Sequence, residues 1–169
     1  FYTKSDTEVL LKAFARWDVN CLDHLVGMFA FAVWDAHDQR LILVRDRLGK
    51  KPLYYFFDQN GIAFSSELTS LRKGLRVGLD LNRAAISQYL SLNYTTTRSC
   101  IFQGANKVPP ATYVEIHRNQ IPKIVRYWNL AEIFRREKLQ MTDGEAIEHL
   151  DNLIDQSVRQ RLCSDVPLG

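Results

Sequence analysis

Residues 53–65 leave the chain little freedom of fold. Two apolar, aromatic-rich runs, Leu53 to Phe57 and Ile62 to Ser65, flank Asp58-Gln59-Asn60-Gly61. An Asn-Gly pair between such runs is a strong signal for a tight antiparallel hairpin, because both residues tolerate positive φ. Two further stretches repeat the pattern. Met28 to Trp34 is a dense apolar run that turns at Asp35-Ala36-His37-Asp38 and returns as Leu41 to Val44. Met28 to Trp34 lacks polar alternation and is expected to be a strand buried on both faces. Thr112 to Ile116 and Ile121 to Trp128 are expected to pair across Arg118-Asn119-Gln120, after Pro109-Pro110 breaks the chain.

Helices are expected around these hairpins. Ser5-Asp6-Thr7-Glu8 has the spacing of a capping box, followed by Val9, Leu10, Ala13, Phe14 and Trp17 at a helical period. Cys21, Leu22 and Leu25 suggest a short turn ahead of Gly27. Ser66-Glu67-Leu68 opens a short helix toward Arg72. Asn82 to Leu92 reads as another, with Ala85, Ile86, Tyr89 and Leu90 as its apolar set. Asn129 to Gln140 is charged and irregular and reads as a linker. A second capping box, Thr142-x-x-Glu145, starts a helix to about Leu162 with Ile147, Leu150, Ile154 and Val158 on one face.

Composition excludes several classes. Among 169 residues, 46% are hydrophobic and 24% charged, which rules out a disordered or collagen-like chain and a coiled-coil array. A formal charge of +3 is too small and too spread to argue for nucleic-acid or membrane binding. No apolar run approaches the roughly 18–20 residues a bilayer span needs. Cys21, Cys100 and Cys163 are widely spaced and odd in number, which fits reduced thiols of a cytoplasmic protein. The chain opens without Met directly ahead of a helix, and is expected to be an internal piece of a longer polypeptide.

The residues alone carry little chemistry. There is no phosphate loop, dinucleotide fingerprint, zinc-protease helix or nucleophile elbow. His149 follows Glu145 by four residues, a spacing open to a metal but read as a solvated ion pair; no metal site is expected. His24, His37 and His117 are assigned no role. Arg45-Asp46-Arg47-Leu48-Gly49-Lys50-Lys51-Pro52 is read as a strand-end turn in which Gly49 takes an unusual backbone angle and Pro52 stiffens the exit. A phosphate site is the alternative, weakened because no helix starts directly after it. Asp6 reads by spacing as a carboxylate favoured by a helix N-terminus.

Taken together, several segments resemble one family. Ser5-Asp6-Thr7-Glu8-Val9-Leu10-Leu11, Gly27-Met28-Phe29-Ala30-Phe31-Ala32, Arg45 to Tyr55 and Ser65-Ser66-Glu67-Leu68 occur in the order found in glutamine-hydrolysing asparagine synthetases. Val108-Pro109-Pro110, Tyr127-Trp128 and Arg161 to Gly169 extend the likeness over essentially the whole chain. The Arg-Asp-x-x-Gly-x-x-Pro-Leu block is shared with other class II glutamine amidotransferases. The closing Ser-Asp-Val-Pro-Leu-Gly is more specific to the asparagine synthetase branch.

The resemblance implies an α+β fold. Residues 1–128 would be the later part of an αββα N-terminal-nucleophile glutaminase sandwich, 129–140 a linker, and 141–169 the first helix of an α/β ATP-pyrophosphatase-type domain. It implies that Asp6 holds the α-ammonium of glutamine and that Met28 lines an ammonia passage, with a core methionine the alternative for Met28. The nucleophilic cysteine would precede Phe1 and the ATP loop would follow Gly169, so no catalytic residue is expected here and the chain alone should be inactive. Cofactors would be ATP and Mg2+, the substrates glutamine, aspartate and ATP, and the assembly a homodimer. Two other readings stand beside this one: a sibling that amidates another carboxylate in an exopolysaccharide or peptide pathway, and a non-catalytic glutamine-binding module.

Overall fold

The computed structural model describes residues 1–3, 5–75, 78–96, 99–118 and 120–162. Its described strands form two antiparallel sheets. Strands β1 (Ala30–Asp35), β2 (Arg40–Arg45), β6 (Thr112–His117) and β7 (Lys123–Arg126) lie in the order β1-β2-β6-β7. Strands β3 (Tyr54–Asp58), β4 (Gly61–Ser65) and β5 (Ala105–Lys107) lie in the order β4-β3-β5. The β3–β4 hairpin pairs Asp58 with Gly61, leaving Gln59 and Asn60 as its loop. Gly61 takes φ 137 there, and the Asp58 carboxylate accepts the Asn60 amide at 2.8 Å.

Period-two alternation explains how the sheets find their neighbours. Leu41 and Leu43 of β2 and Val114 and Ile116 of β6 share a core with Leu53, Tyr55 and Val108. That core joins the two sheets. On the other face of the first sheet, Ile42 and Val44 pack with Cys21 and Leu22, and Ala13 and Phe14 of helix α1 (Asp6–Trp17) rest against them. On the far face of the second sheet, Tyr54, Phe56 and Ala63 pack against Leu71, Cys100 and Phe102. Leu71 belongs to α2 (Leu68–Gly74), and α3 (Arg83–Leu92) follows with Asn82 as its cap.

The two-sided burial expected for Met28 to Trp34 belongs instead to β2, where Leu41, Ile42, Leu43 and Val44 are all buried. The first strand begins at Ala30 and lies at the sheet edge; Ala32 and Trp34, paired with Leu43 and Leu41, share the face of the core between the sheets but are exposed. Tyr89 and Leu90 of α3 are likewise exposed, and only Ala85 of that helix is fully buried. The last hairpin strand is shorter than expected, Lys123–Arg126, and the Asn119 of its turn lies outside the described residues. The three-residue β5 was not foreseen.

Phe1–Asn129 form one compact unit, and a second begins at Leu130. The second contains α4 (Leu130–Phe134), a short helix inside the stretch read as linker, and α5 (Asp143–Arg159). The Thr142 capping box of α5 is complete: its hydroxyl accepts the Glu145 amide, and Glu145 accepts the Thr142 amide at 2.8 Å. The helix ends three residues before Leu162, and Ile147, Leu150, Ile154 and Val158 are exposed.

These placements separate two substitutions that the sequence pattern alone would treat alike. Leu43→Ala, at a site closed on both faces of the sheet, is expected to cost about 2–5 kcal/mol. Ala32→Ser, at an exposed position of the edge strand β1, is expected to fall within about 0.5 kcal/mol of the parent. Urea unfolding midpoints check both, and similar losses at the two sites would contradict the exposure of Ala32.

Candidate functional site

The charged segment after β2 folds as a turn built around one carboxylate. Asp46 is 1% exposed. Its Oδ1 accepts the amides of Leu48 at 3.1 Å and Lys50 at 3.0 Å, and its Oδ2 accepts that of Lys51 at 2.9 Å. Burial opposes the charge, but the three amides and the neighbouring Arg45 guanidinium outweigh it and hold the carboxyl below its ordinary range. Arg45 donates to the carbonyls of Lys51, Val108 and Gly49 at 2.7–2.8 Å. Its guanidinium is thus engaged by backbone, and the phosphate alternative loses its central cation. Gly49 takes φ +66, and a Cβ there would sit 2.8 Å from the Pro110 ring.

This turn also fixes the segment that carries Met28. The Asp46 amide donates to the Phe29 carbonyl at 2.9 Å. Arg47 donates to the carbonyls of Leu25 and Leu22. Phe29 and Leu25 pack into the core of Cys21, Leu22, Ile42 and Val44. Met28 lies between these anchors and is 50% exposed, so it is not a core methionine in this chain. On the other side of the turn, the Asp46 carbonyl accepts the Ala111 amide at 3.0 Å, and the Tyr127 hydroxyl donates to the Arg45 carbonyl at 2.8 Å. Burial pushes the Tyr127 phenol up to about 12, so it remains a donor.

Asp6 is the first residue of α1 and is exposed. The expected capping box does not form, and a simpler Ser5 cap takes its place. Ser5 accepts the Thr7 amide at 3.2 Å, but Glu8 does not return to the cap. It accepts the amides of Tyr2 and Thr3 and pairs with Lys12 at 2.8 Å. Lys12, then the Tyr2 amide and the Thr3 hydroxyl, draw the Glu8 carboxyl down to about 2. Lys12 also lies 4.6 Å from the Phe1 ring centroid. Glu8 therefore ties down the residues ahead of the helix, and the Asp6 carboxylate is left facing solvent at the positive helix end.

Asp6 and Met28 thus sit on separate elements that share one core. Sequence spacing missed two residues that hold this arrangement. Arg40 bonds Asp18, the residue that closes α1, at 2.8 Å, and Arg47 holds the segment before Met28. Neither has a local sequence signal, because their partners are about twenty residues away in the chain.

The remaining candidates carry no site. Cys21 and Cys100 are buried and free, and burial pushes the Cys21 thiol up; Cys163 lies outside the described residues. Glu145 serves Thr142 as helix cap. Among the described residues no three His, Cys, Asp or Glu side chains group as a metal site, and no helix is long and apolar enough to cross a membrane. A cavity of about 850 Å³ opens at the hairpin tips between Trp34, Phe57, Ile62 and Ile121, and neither Asp6 nor Met28 lines it.

The architecture is that of an α+β domain of antiparallel sheets with helices against them. Residues 1–128 match the family model described as a glutamine amidotransferase domain, and the chain belongs to that family. It is 33% identical over 169 residues to a glutamine-hydrolysing asparagine synthetase of Bacillus subtilis (strain 168), covering 99% of this chain and 27% of that protein. It is 31% identical over 174 residues to a putative glutamine-hydrolysing asparagine synthetase of Methanocaldococcus jannaschii, covering 99% of this chain and 32% of that protein. An amidase of Gibberella zeae is 32% identical over 172 residues, covering all of this chain and 25% of that protein. The chain therefore spans about a quarter to a third of the length of these curated relatives.

Asp46 gives the acid limb of stability a testable shape. A carboxyl held below its unfolded value adds stability above about pH 3.9, and that stability is lost as pH falls toward the folded value. Asp46→Asn is expected to lower stability at pH 7 and to flatten the loss between about pH 4 and pH 2 relative to the parent. Urea melts across that range check it. An unchanged pH dependence would contradict the assigned role.

Proposed function

We propose that the chain is the substrate-presenting part of a glutamine-dependent amidotransferase that forms asparagine. The observation that carries the reading is the solvent-facing Asp6 carboxylate at the start of α1, next to a chain segment held in place by Glu8. The family membership and the named asparagine synthetases among its relatives support it. Residues 1–128 would form the later part of an αββα N-terminal-nucleophile glutaminase, 129–140 the linker, and 141–169 the start of an ATP-pyrophosphatase-type domain. The layering of helix on sheet, sheet on sheet and sheet on helix is consistent with the first of these.

In this reading Asp6 accepts a charge-assisted hydrogen bond from the α-ammonium of glutamine. A cysteine thiolate elsewhere in the full-length protein attacks the side-chain amide, giving a thioester and ammonia. Met28, half exposed beside the first sheet, lines the route by which ammonia leaves. An apolar wall there favours neutral ammonia over ammonium and so preserves the nucleophile. Aspartate, activated by ATP with Mg2+ in the synthetase part, would be the acceptor, in a cytoplasmic homodimer. A sibling that amidates another carboxylate is the second reading. An amidase is as similar to this chain as the asparagine synthetases are, so likeness in this region does not choose the acceptor.

The full-length protein is expected to make asparagine from aspartate, glutamine and ATP. Pyrophosphate exchange dependent on a different acid, and not on aspartate, would favour the sibling. Asp6→Ala is expected to raise the glutamine KM by roughly 10- to 150-fold, the equivalent of the about 1.5–3 kcal/mol of a hydrogen bond to a charged group. An unchanged KM in a folded variant would remove Asp6 from the site.

A further inference from the structure

Arg40 occupies an unusual place. It starts β2, opposite Asp35 of β1 and His117 of β6. Its side chain is 12% exposed and reaches three carboxylates: Asp18 at 2.8 Å, Glu115 at 3.5 Å and Asp35 at 3.7 Å. Its guanidinium also lies 5.8 Å from the ring of Phe14 in α1. Two of these five neighbours belong to α1 or its end. Asp18 donates its own amide to the Phe14 carbonyl and closes the helix, with φ 51 and ψ −140. That conformation is rare for a side chain other than glycine. Arg40 pairs with it directly, while Cys21 and Leu22 just beyond it pack against Ile42 and Val44.

The rest of α1 is weakly held. No residue of the helix is fully buried. Its core contacts come from Ala13 and Phe14, in its last turns. Asp6, at the other end, projects about 18 Å from Asp18, at 1.5 Å per residue over twelve residues. A tilt of about 3° at the Asp18 end therefore moves Asp6 by about 1 Å. A misplacement of that size, made far from the chemistry, can cost about a hundredfold in rate.

We propose that Arg40 is the positioning residue for the Asp6 carboxylate: it ties the end of α1 to β2 and Glu115 and so fixes where the helix presents Asp6 to glutamine. The proposal rests on Asp6 being the glutamine ligand. A purely structural ion pair would alter melting temperature and nothing else. A positioning pair alters glutamine KM in a protein that remains folded.

The test uses the full-length protein, with glutamine hydrolysis as readout and melting temperature as the folding control. Arg40→Gln is expected to raise the glutamine KM about tenfold or more with little change in kcat, and Arg40→Lys to recover part of that loss. Asp18→Asn, at a half-exposed residue, is the second variant if Arg40→Gln does not fold, and is expected to raise KM several-fold. Asp6→Asn is the reference. Added to it, Arg40→Gln is expected to have little further effect, because both act on one contact. If Asp6→Asn raises KM but the Arg40 and Asp18 variants do not, or if their effects add fully to it, Arg40 has no positioning role. If Asp6→Asn itself leaves KM unchanged, the glutamine reading of Asp6 falls, and the proposal with it.

Discussion

The Asp46 carboxylate is buried and ionised, and its neighbours make both conditions tolerable. Three amides from its own turn and the adjacent guanidinium replace the water it has lost. The same residue's amide and carbonyl reach Phe29 and Ala111. One aspartate thus joins the end of β2, the approach to β1 and the approach to β6. Arg45 and Arg47 extend the joint to Val108 and to Leu22 and Leu25. Replacing Asp46 would remove the acceptor of three turn amides at once, which costs more than any single hydrogen bond contributes.

The proposed site is built outward from that joint. The core of Cys21, Leu22, Ile42 and Val44 lies between the first sheet and α1, and the segment bearing Met28 is held to its rim. Asp6 is farther out, on a helix that meets this core through Ala13 and Phe14 of its last turns. In the proposed reading, a carboxylate at the end of a helix on a rigid base is a sensible arrangement for a substrate clamp. Such a clamp would stay wet and reachable, while its position would be set by contacts at the other end.

Parts of this were legible in the sequence and parts were not, for physical reasons. The β3–β4 hairpin was legible because Asp58 to Gly61 is rich in turn residues: the Asp58 carboxylate accepts the Asn60 amide and Gly61 takes the positive φ. The Thr142 box was legible because both of its partners lie within one helical turn. The edge position of β1 was not, since an apolar run records hydrophobicity and not which strand becomes its neighbour. β5 has three residues with a polar Asn106 between its ends, too few for a period. Glu8 matched a capping box by spacing, yet the amides of Tyr2 and Thr3 competed for it and won. Asp6 stood out only through resemblance, because a lone acid at a helix start looks like any other. Arg40 could not be found at all without the fold, since Asp18 and Glu115 reach it only through tertiary packing.

The claim that Asp6 is presented to bind the α-ammonium of glutamine is tested most directly at its own carboxyl carbon. In full-length protein with a silenced nucleophile, the assigned carbon-13 resonance of Asp6 can be followed as ligand is added. Glutamine is expected to move it, and the analogue in which hydrogen replaces the α-amino group is expected to leave it in place. An Asp6 resonance that stays fixed while glutamine saturates the protein, or that responds equally to both ligands, would contradict the account.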